Sequence, residues 1–598
     1  MLSRALKLRI VRRAYSVDSC FDAVAAPASV AASEEMGLYR FSVLRTAKGF
    51  RRFVDDAIQR PTLPNYAATH ILTEKLQRVN ELNLEIALLG RNFNENIMMD
   101  PGVVDIYPYT RIKKDTQHHF RPTTEPSSVS SVLKWIPDDE VRKEVYIRGN
   151  SVPHANLRVL DDLISTHHEL AQIMGCKSYA EFSIRHNMAG LSEVVSTFLH
   201  DMRRIVRPKA DEEFERIRDF KRKMVGEKSV DLEPWDESYF TGIMKSSTFN
   251  LDSSVIARYF PLSRCLEGLK MLVESLFGAT FHRIPISPLE SWHPDVIKLS
   301  LHHPQEGDLG FLYLDLYSRK EKYPGCAHFA IRGGRKISEA EYQLPIVALV
   351  CNFPSSDGLA TRLDHWDVET LFHEFGHALS IPCFLELIIN ISRVQELLLM
   401  WLKHLLTFLS MYYAWDYRVL KKFAREETSG DPIPENLVKS MNSARSMFAA
   451  TELQRQIFYS LLDLSLFGEQ VSSPRNTISI YGDLKREHTS WGHVEGTHWH
   501  TRFSHLINYG AGIILLSRLY YSYLYARCFA ATIWQEICSV DPLSENTGNV
   551  LRTSFLCHGG ANDPAALLKG CIGEGSIIRN CNGGVIPDIT SLCREIGL

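Results

Sequence analysis

Apolar residues recur every three to four positions over most of this chain, so most of it is predicted to be helical. The clearest runs are Thr73–Ile86, Leu157–Met174, Leu191–Arg222 and Ser253–Leu276. Leu191–Arg222 is heavily charged on one face, as a long surface helix would be, and Pro208 is a point where it would kink. The pattern changes in the middle of the chain. Gly310–Tyr317 (GFLYLDLY) and Leu344–Phe353 (LPIVALVCNF) are rich in β-branched and aromatic residues and read as strands. Pro324-Gly325 and Gly333-Gly334 mark turns between them. The expected fold is therefore mainly α with a small β-sheet. Linkers are expected near Thr116–Ser131 and Gly226–Glu237.

Length and composition narrow this picture. With 598 residues the chain exceeds what one compact core accommodates, so subdomains are expected. A formal net charge of −3 gives no reason to propose nucleic-acid binding. The 12 cysteines are scattered without CxxC pairs, which points to a reducing compartment rather than a disulfide scaffold. No stretch offers the roughly 18 uncharged apolar residues of a membrane span. Ile381–Leu409 comes nearest, but Glu386, Arg393, Glu396 and Lys403 interrupt it. Residues 1–17 carry Arg4, Lys7, Arg9, Arg12 and Arg13, apolar residues between them and no acid, the character of an organelle transit peptide. Arg13-Ala14-Tyr15-Ser16 fits a processing site with cleavage after Tyr15. The chain is thus divided into a transit peptide (1–17), an N-terminal helical region (18–225) and a region holding the chemistry (226–598).

The chemistry lies in His373-Glu374-Phe375-Gly376-His377. Two histidines four apart on a helix share one face, one turn apart, as two ligands of a tetrahedral zinc must. Glu374 then lies beside the metal, placed to take a proton from a water whose pKa zinc lowers towards roughly 7. Leu371, Phe372, Phe375, Ala378 and Leu379 give the motif apolar flanks, and Asp367 and Glu369 suit the first turn of a helix.

Longer segments resemble the thimet oligopeptidase family of zinc metallopeptidases. They are Gly310–Arg335, Leu363–Leu379 (LDHWDVETLFHEFGHAL), Tyr412–Leu420, Val494–Gly512 (VEGTHWHTRFSHLINYGAG), Tyr520–Ala530 and His558-Gly559-Gly560. The resemblance implies a two-lobed helical metallopeptidase with a small sheet near the active site and a deep channel for short or unfolded peptides. It implies one Zn2+ per chain and a monomer acting in the mitochondrial matrix, by N-terminal trimming of imported precursors or by general clearance of presequence peptides. Carried over from the family, His505, Tyr509 and Tyr523 stabilise the transition-state oxyanion, the kind of donor set that supplies a large electrostatic effect.

Two departures stand out. The family's third zinc ligand is a glutamate 25 residues after the second histidine, and that count falls on Leu402. All of Ser380–Met411 lacks the family pattern although both flanks match. Synonymous codons can be chosen so that another reading frame of this stretch encodes the family segment, ending in Ala-Glu-Thr-Pro-Ser-Asn. One exon in the wrong frame is the expectation, and the coding DNA decides it. Glu396, 19 residues after His377, is the alternative carboxylate ligand. Ile513–Leu519 likewise interrupts the family's tyrosine-rich run and displaces Tyr523 from Tyr509. As written, the chain also admits a second outcome, an inactive pseudoenzyme or mis-spliced isoform lacking the third ligand.

Overall fold

In the computed structural model the described residues are 70–99, 122–124, 126–151, 153–185, 187–226, 231–320, 322, 325–338, 341–354, 361–380, 405, 407–469, 476–503, 505–508, 519–554, 556–558, 563–572, 578–581 and 584–598. The expected transit peptide and cleavage site, Leu402, Glu396, Tyr509 and the 513–518 stretch lie outside them. The described residues form two compact units, each assembled from separated segments: those within 251–442 and 529–577 in one, those within 70–250, 443–528 and 578–598 in the other.

The second of these is helical. Its longest element, Ser192–Val225, runs unbroken through Pro208 and ends on Gly226, whose φ of 77° is the left-handed cap that glycine adopts without strain. It buries Val194, Val195, Phe198, Leu199, Met202, Val206 and Ile217 and packs on the Ala449–Leu466 helix. Ile217, Leu232, Phe240, Met244, Phe448 and Trp491 form a core cluster there. Asp236 is wholly buried within this unit. Burial alone would raise its pKa, but Lys221 Nζ and Arg142 Nη2, each 2.6 Å away, hold it below the usual range. The expected linker at 116–131 is in part helix, because Pro126 opens the Pro126–Trp135 helix at the position where its missing N–H costs nothing.

The sheet belongs to the other unit. Its strands are β1 (Thr280–Arg283), β2 (Ile297–His303), β3 (Gly307–Tyr317), β4 (Ala327–Arg332) and β7 (Ile346–Phe353), with a small separate pair β5 (Arg335–Lys336) and β6 (Tyr342–Gln343). The order is β1-β2-β3-β7-β4. β3 and β7 run parallel and every other neighbouring pair is antiparallel. The two strands legible in sequence are thus the central pair. β7 is buried along almost its whole length, which is why it is apolar without alternation.

Ser253–Leu276 is two helices, Ser253–Ala257 and Leu262–Phe277, rather than the one that periodicity implied. Pro261 breaks the run, and the backbone beside it pairs elsewhere: Leu262 N–H donates to Thr361 O and Leu363 N–H to Phe260 O. That pairing leads the chain into the His365–Ser380 helix, which packs on β7, β4 and Leu262–Phe277. Gly548, on the Glu545–Ser554 helix, lies so close to Leu276 that a Cβ there would run into the Leu276 carbonyl. No helix among the described residues is long and apolar enough to cross a membrane.

Candidate metal centre

The His365–Ser380 helix is started by Asp364, whose Oδ1 accepts from Asp367 N–H at 2.8 Å and satisfies a donor of the first turn. It is held by its apolar side. Val368, Leu371, Phe372, Phe375 and Ala378 are buried, with Phe375 edge-on to Phe281 and Phe372 stacked on Phe423. Polar ties fix its N-terminal half: His365 Nε2 meets Ala414 O at 2.9 Å, and Trp415 Nε1–H donates to Glu369 at 3.0 Å. Helical spacing then turns Glu374 and His377 towards His328 of strand β4, while His373 meets Phe408 edge-on.

His377 is 7% exposed, and its ring lies 5.0 Å from the His373 ring at 82°. Burial pushes the His373 pKa down to about 4, so this imidazole is neutral at neutral pH, the form that binds metal. Glu374 moves the opposite way. Burial first, and the neighbouring Cys326 second, raise its pKa to about 7, against a hydrogen bond donated by the His328 backbone N–H. Cys326, just before β4, is itself depressed to about 7, chiefly by a hydrogen bond with Cys351 on β7.

β4 brings in a residue that the sequence did not single out. His328 stacks on His377 with ring centroids 4.4 Å apart and planes 19° from parallel. Ligand atoms of His328, Glu374 and His377 all lie within 4.8 Å of one another, a partly buried N/N/O set of the kind zinc takes, with His328 half-buried and His373 outside the set. The motif helix therefore carries all three predicted residues, and the convergent set adds His328. Its signal in the sequence was faint: an aromatic-rich strand pattern, AHFAIR, between two glycine turns.

His505 and Tyr523 belong to the helical unit, and their rings meet at 5.5 Å and 79°. Burial lowers the His505 pKa to about 4. Tyr520, not anticipated as a site residue, packs against both, at 5.2 Å from His505 and 5.1 Å from Tyr523. Its hydroxyl donates to Gln456 Oε1 at 2.7 Å.

A helix-borne HExxH under a mixed sheet, with a histidine and a high-pKa glutamate facing each other, is the apparatus of a metallopeptidase, and this chain belongs to peptidase family M3, whose profile matches residues 132–576. It is 55% identical over 556 residues to the mitochondrial intermediate peptidase of Arabidopsis thaliana, covering 88% of this chain and 77% of that protein. It is 30% identical over 526 residues to the mitochondrial intermediate peptidase of Homo sapiens, covering 87% and 71%. A solved structure titled as an oligoendopeptidase F aligns with a TM-score of 0.50 at 12% identity, over 92% of this chain and 82% of that one, a likeness of fold.

Proposed function

We propose that this metallopeptidase is a zinc endopeptidase of the mitochondrial matrix that trims an N-terminal segment from imported precursors. The observation that carries the chemistry is the convergence of His328, on β4, with Glu374 and His377 of the HExxH helix of an M3 peptidase. The relatives that span most of the chain support the location and the substrate.

His373 and His377 would hold the zinc, which when bound polarises the scissile carbonyl and acidifies water. Glu374 is the general base. With a pKa of about 7 it is near the optimum for accepting a proton at neutral pH and handing it on to the leaving amine. The His328 N–H fixes the carboxylate while it does so. By the family resemblance His505, a neutral imidazole at neutral pH, and Tyr523 have N–H and O–H donors to offer a developing oxyanion, and Tyr509 is assigned the same role.

The deciding assay offers the purified, zinc-supplemented protein a precursor bearing an N-terminal octapeptide and, separately, free presequence peptides. Removal of the octapeptide at a single bond supports precursor trimming. Degradation of free peptides alone would replace it with general peptide clearance. One observation favours a second outcome: with leucine at residue 402, a chain that retains no zinc and cleaves neither substrate is a pseudoenzyme.

A further inference from the structure

Cys326 and Cys351 lie 25 residues apart in the sequence and form no CxxC motif, yet the sheet brings them together. β4 and β7 run antiparallel, and their ladder ends on the pair Ala327 and Val350. Just past that pair, Asn352 Nδ2–H donates to Gly325 O at 2.6 Å. Cys326 and Cys351 fall between these two ties, one residue before Ala327 and one residue after Val350. We propose that Cys326 and Cys351 are a reversible dithiol–disulfide pair, a thiol modification site in the wall of the metal centre that takes low-molecular-weight disulfides as its oxidant. The proposal concerns the strand pair and not the ion, so it does not depend on the zinc reading.

Three observations carry it. The first is strand geometry. Residues directly opposite one another in an antiparallel pair have Cα atoms about 4.5–5.5 Å apart, inside the roughly 4.4–6.8 Å that a disulfide spans. The backbone therefore has little distance to close. The second is contact. The two thiols are hydrogen-bonded to each other, and Asn352 N–H also donates to the Cys326 sulfur. Both side chains lie on the side of the sheet that the motif helix covers, where each interacts with the Glu374 carboxylate. The third is access. Both thiols are free; Cys351 is buried, and Cys326 is half-buried at the start of β4, the edge strand. A small oxidant reaches Cys326 first and finds Cys351 behind it, the arrangement of an attacking and a resolving cysteine.

The exchange balances in two steps. The Cys326 thiolate attacks one sulfur of a disulfide such as oxidised glutathione. A mixed disulfide forms, the glutathione S–S bond breaks, and one glutathione thiolate leaves with the electron pair. Cys351, having given its proton to solvent, then attacks the Cys326 sulfur and expels the second glutathione thiolate. The protein loses two electrons and two protons, and oxidised glutathione ends as two molecules of the thiol. An excess of reduced thiol runs the exchange backwards. The closed bond ties the start of β4 to β7, two residues from His328 and beside Glu374.

The test locates the bond directly. The reduced full chain is incubated with oxidised glutathione, its remaining thiols are alkylated in denaturant, and a non-reducing digest is read by mass spectrometry. We expect a peptide pair joined through Cys326 and Cys351, loss of alkylation at both positions together, and recovery of both on treatment with dithiothreitol. Cys351→Ser should stop at the first step, with glutathione held on Cys326. Cys326→Ser should leave Cys351 unbridged and fully alkylated. Both cysteines still free under excess oxidant overturns the proposal. So does a lasting glutathione adduct on Cys326 of the wild type, or a bond from either cysteine to a different one. None of these readouts needs zinc or peptide cleavage, so their failure leaves the proposed function standing.

Discussion

Two sets of carboxylates in the sheet-bearing unit are both well buried yet behave in opposite ways. On the sheet, Glu290 is wholly buried, but Lys298 Nζ and the Tyr313 hydroxyl bind it; Asp315 is gripped by Arg319, Lys322 and Trp292 Nε1–H. Burial pushes both upwards, yet these partners win and hold both near 2. On the neighbouring helix, Glu374 has burial without a cationic partner among the described residues and rises to about 7. A carboxylate surrounded by donors and cations is permanently ionised and serves architecture. One left with a single backbone donor can exchange a proton near neutral pH and serves chemistry.

The largest effect that would sharpen this contrast is on activity. Glu374→Gln keeps the shape and removes the base, so peptide cleavage should fall by up to about 10⁴-fold, with the melting temperature unchanged or higher. Comparable cleavage by the variant would show that the proton acceptor lies elsewhere. Next comes Lys298→Met. It strands Glu290 in the interior, and breaking a buried pair in this way costs about 3–5 kcal/mol, visible as a lowered denaturation midpoint. A variant as stable as the wild type would mean that Glu290 is not held by its cation.

Asp315→Asn tests the same point through pH. A depressed folded pKa gives stability that is present above the unfolded value near 3.8 and disappears as pH falls towards 2. The wild type should therefore exceed the variant by about 2 kcal/mol at pH 7, and the gap should close on acidification. A gap independent of pH would assign the effect to packing. The smallest effect concerns the helical unit, where burial raises Asp463 to about 7, opposed by a hydrogen bond from Tyr520 N–H. Here the sign reverses. Stability present below the unfolded pKa is lost as pH rises through about 7, so Asp463→Asn should melt a few degrees higher than wild type at pH 8 and show less gain at pH 5. Equal gains at both values would break the analogy with Glu374.

What the sequence revealed follows from how local each feature is. The motif helix was legible because its ligand spacing, apolar side and start signal lie within 16 residues. β3 and β7 were legible because they are central and apolar. β2 was not, because Lys298 and Ser300 are buried in it and only the tertiary partner Glu290 makes that burial tolerable. The division at Pro261 was masked because apolar periodicity continues across it. His328 was missed because nothing within its own strand marks it: its meaning comes from pairing with β7 and from the helix packed against both, neighbours about 20 to 50 residues away. Nor does any local signal show that the chain leaves the helical unit near residue 250 and returns near 443.

The antiparallel pairing of β4 with β7 has a further consequence. Side chains alternate across a strand, so sliding β4 by one position would hand His328's place to Ala327 or Phe329 and take the imidazole away from His377. The strand pairing thus acts as an address. An odd-numbered deletion between residues 333 and 345 could rewrite the composition of the metal centre while leaving every residue of the centre itself in the sequence.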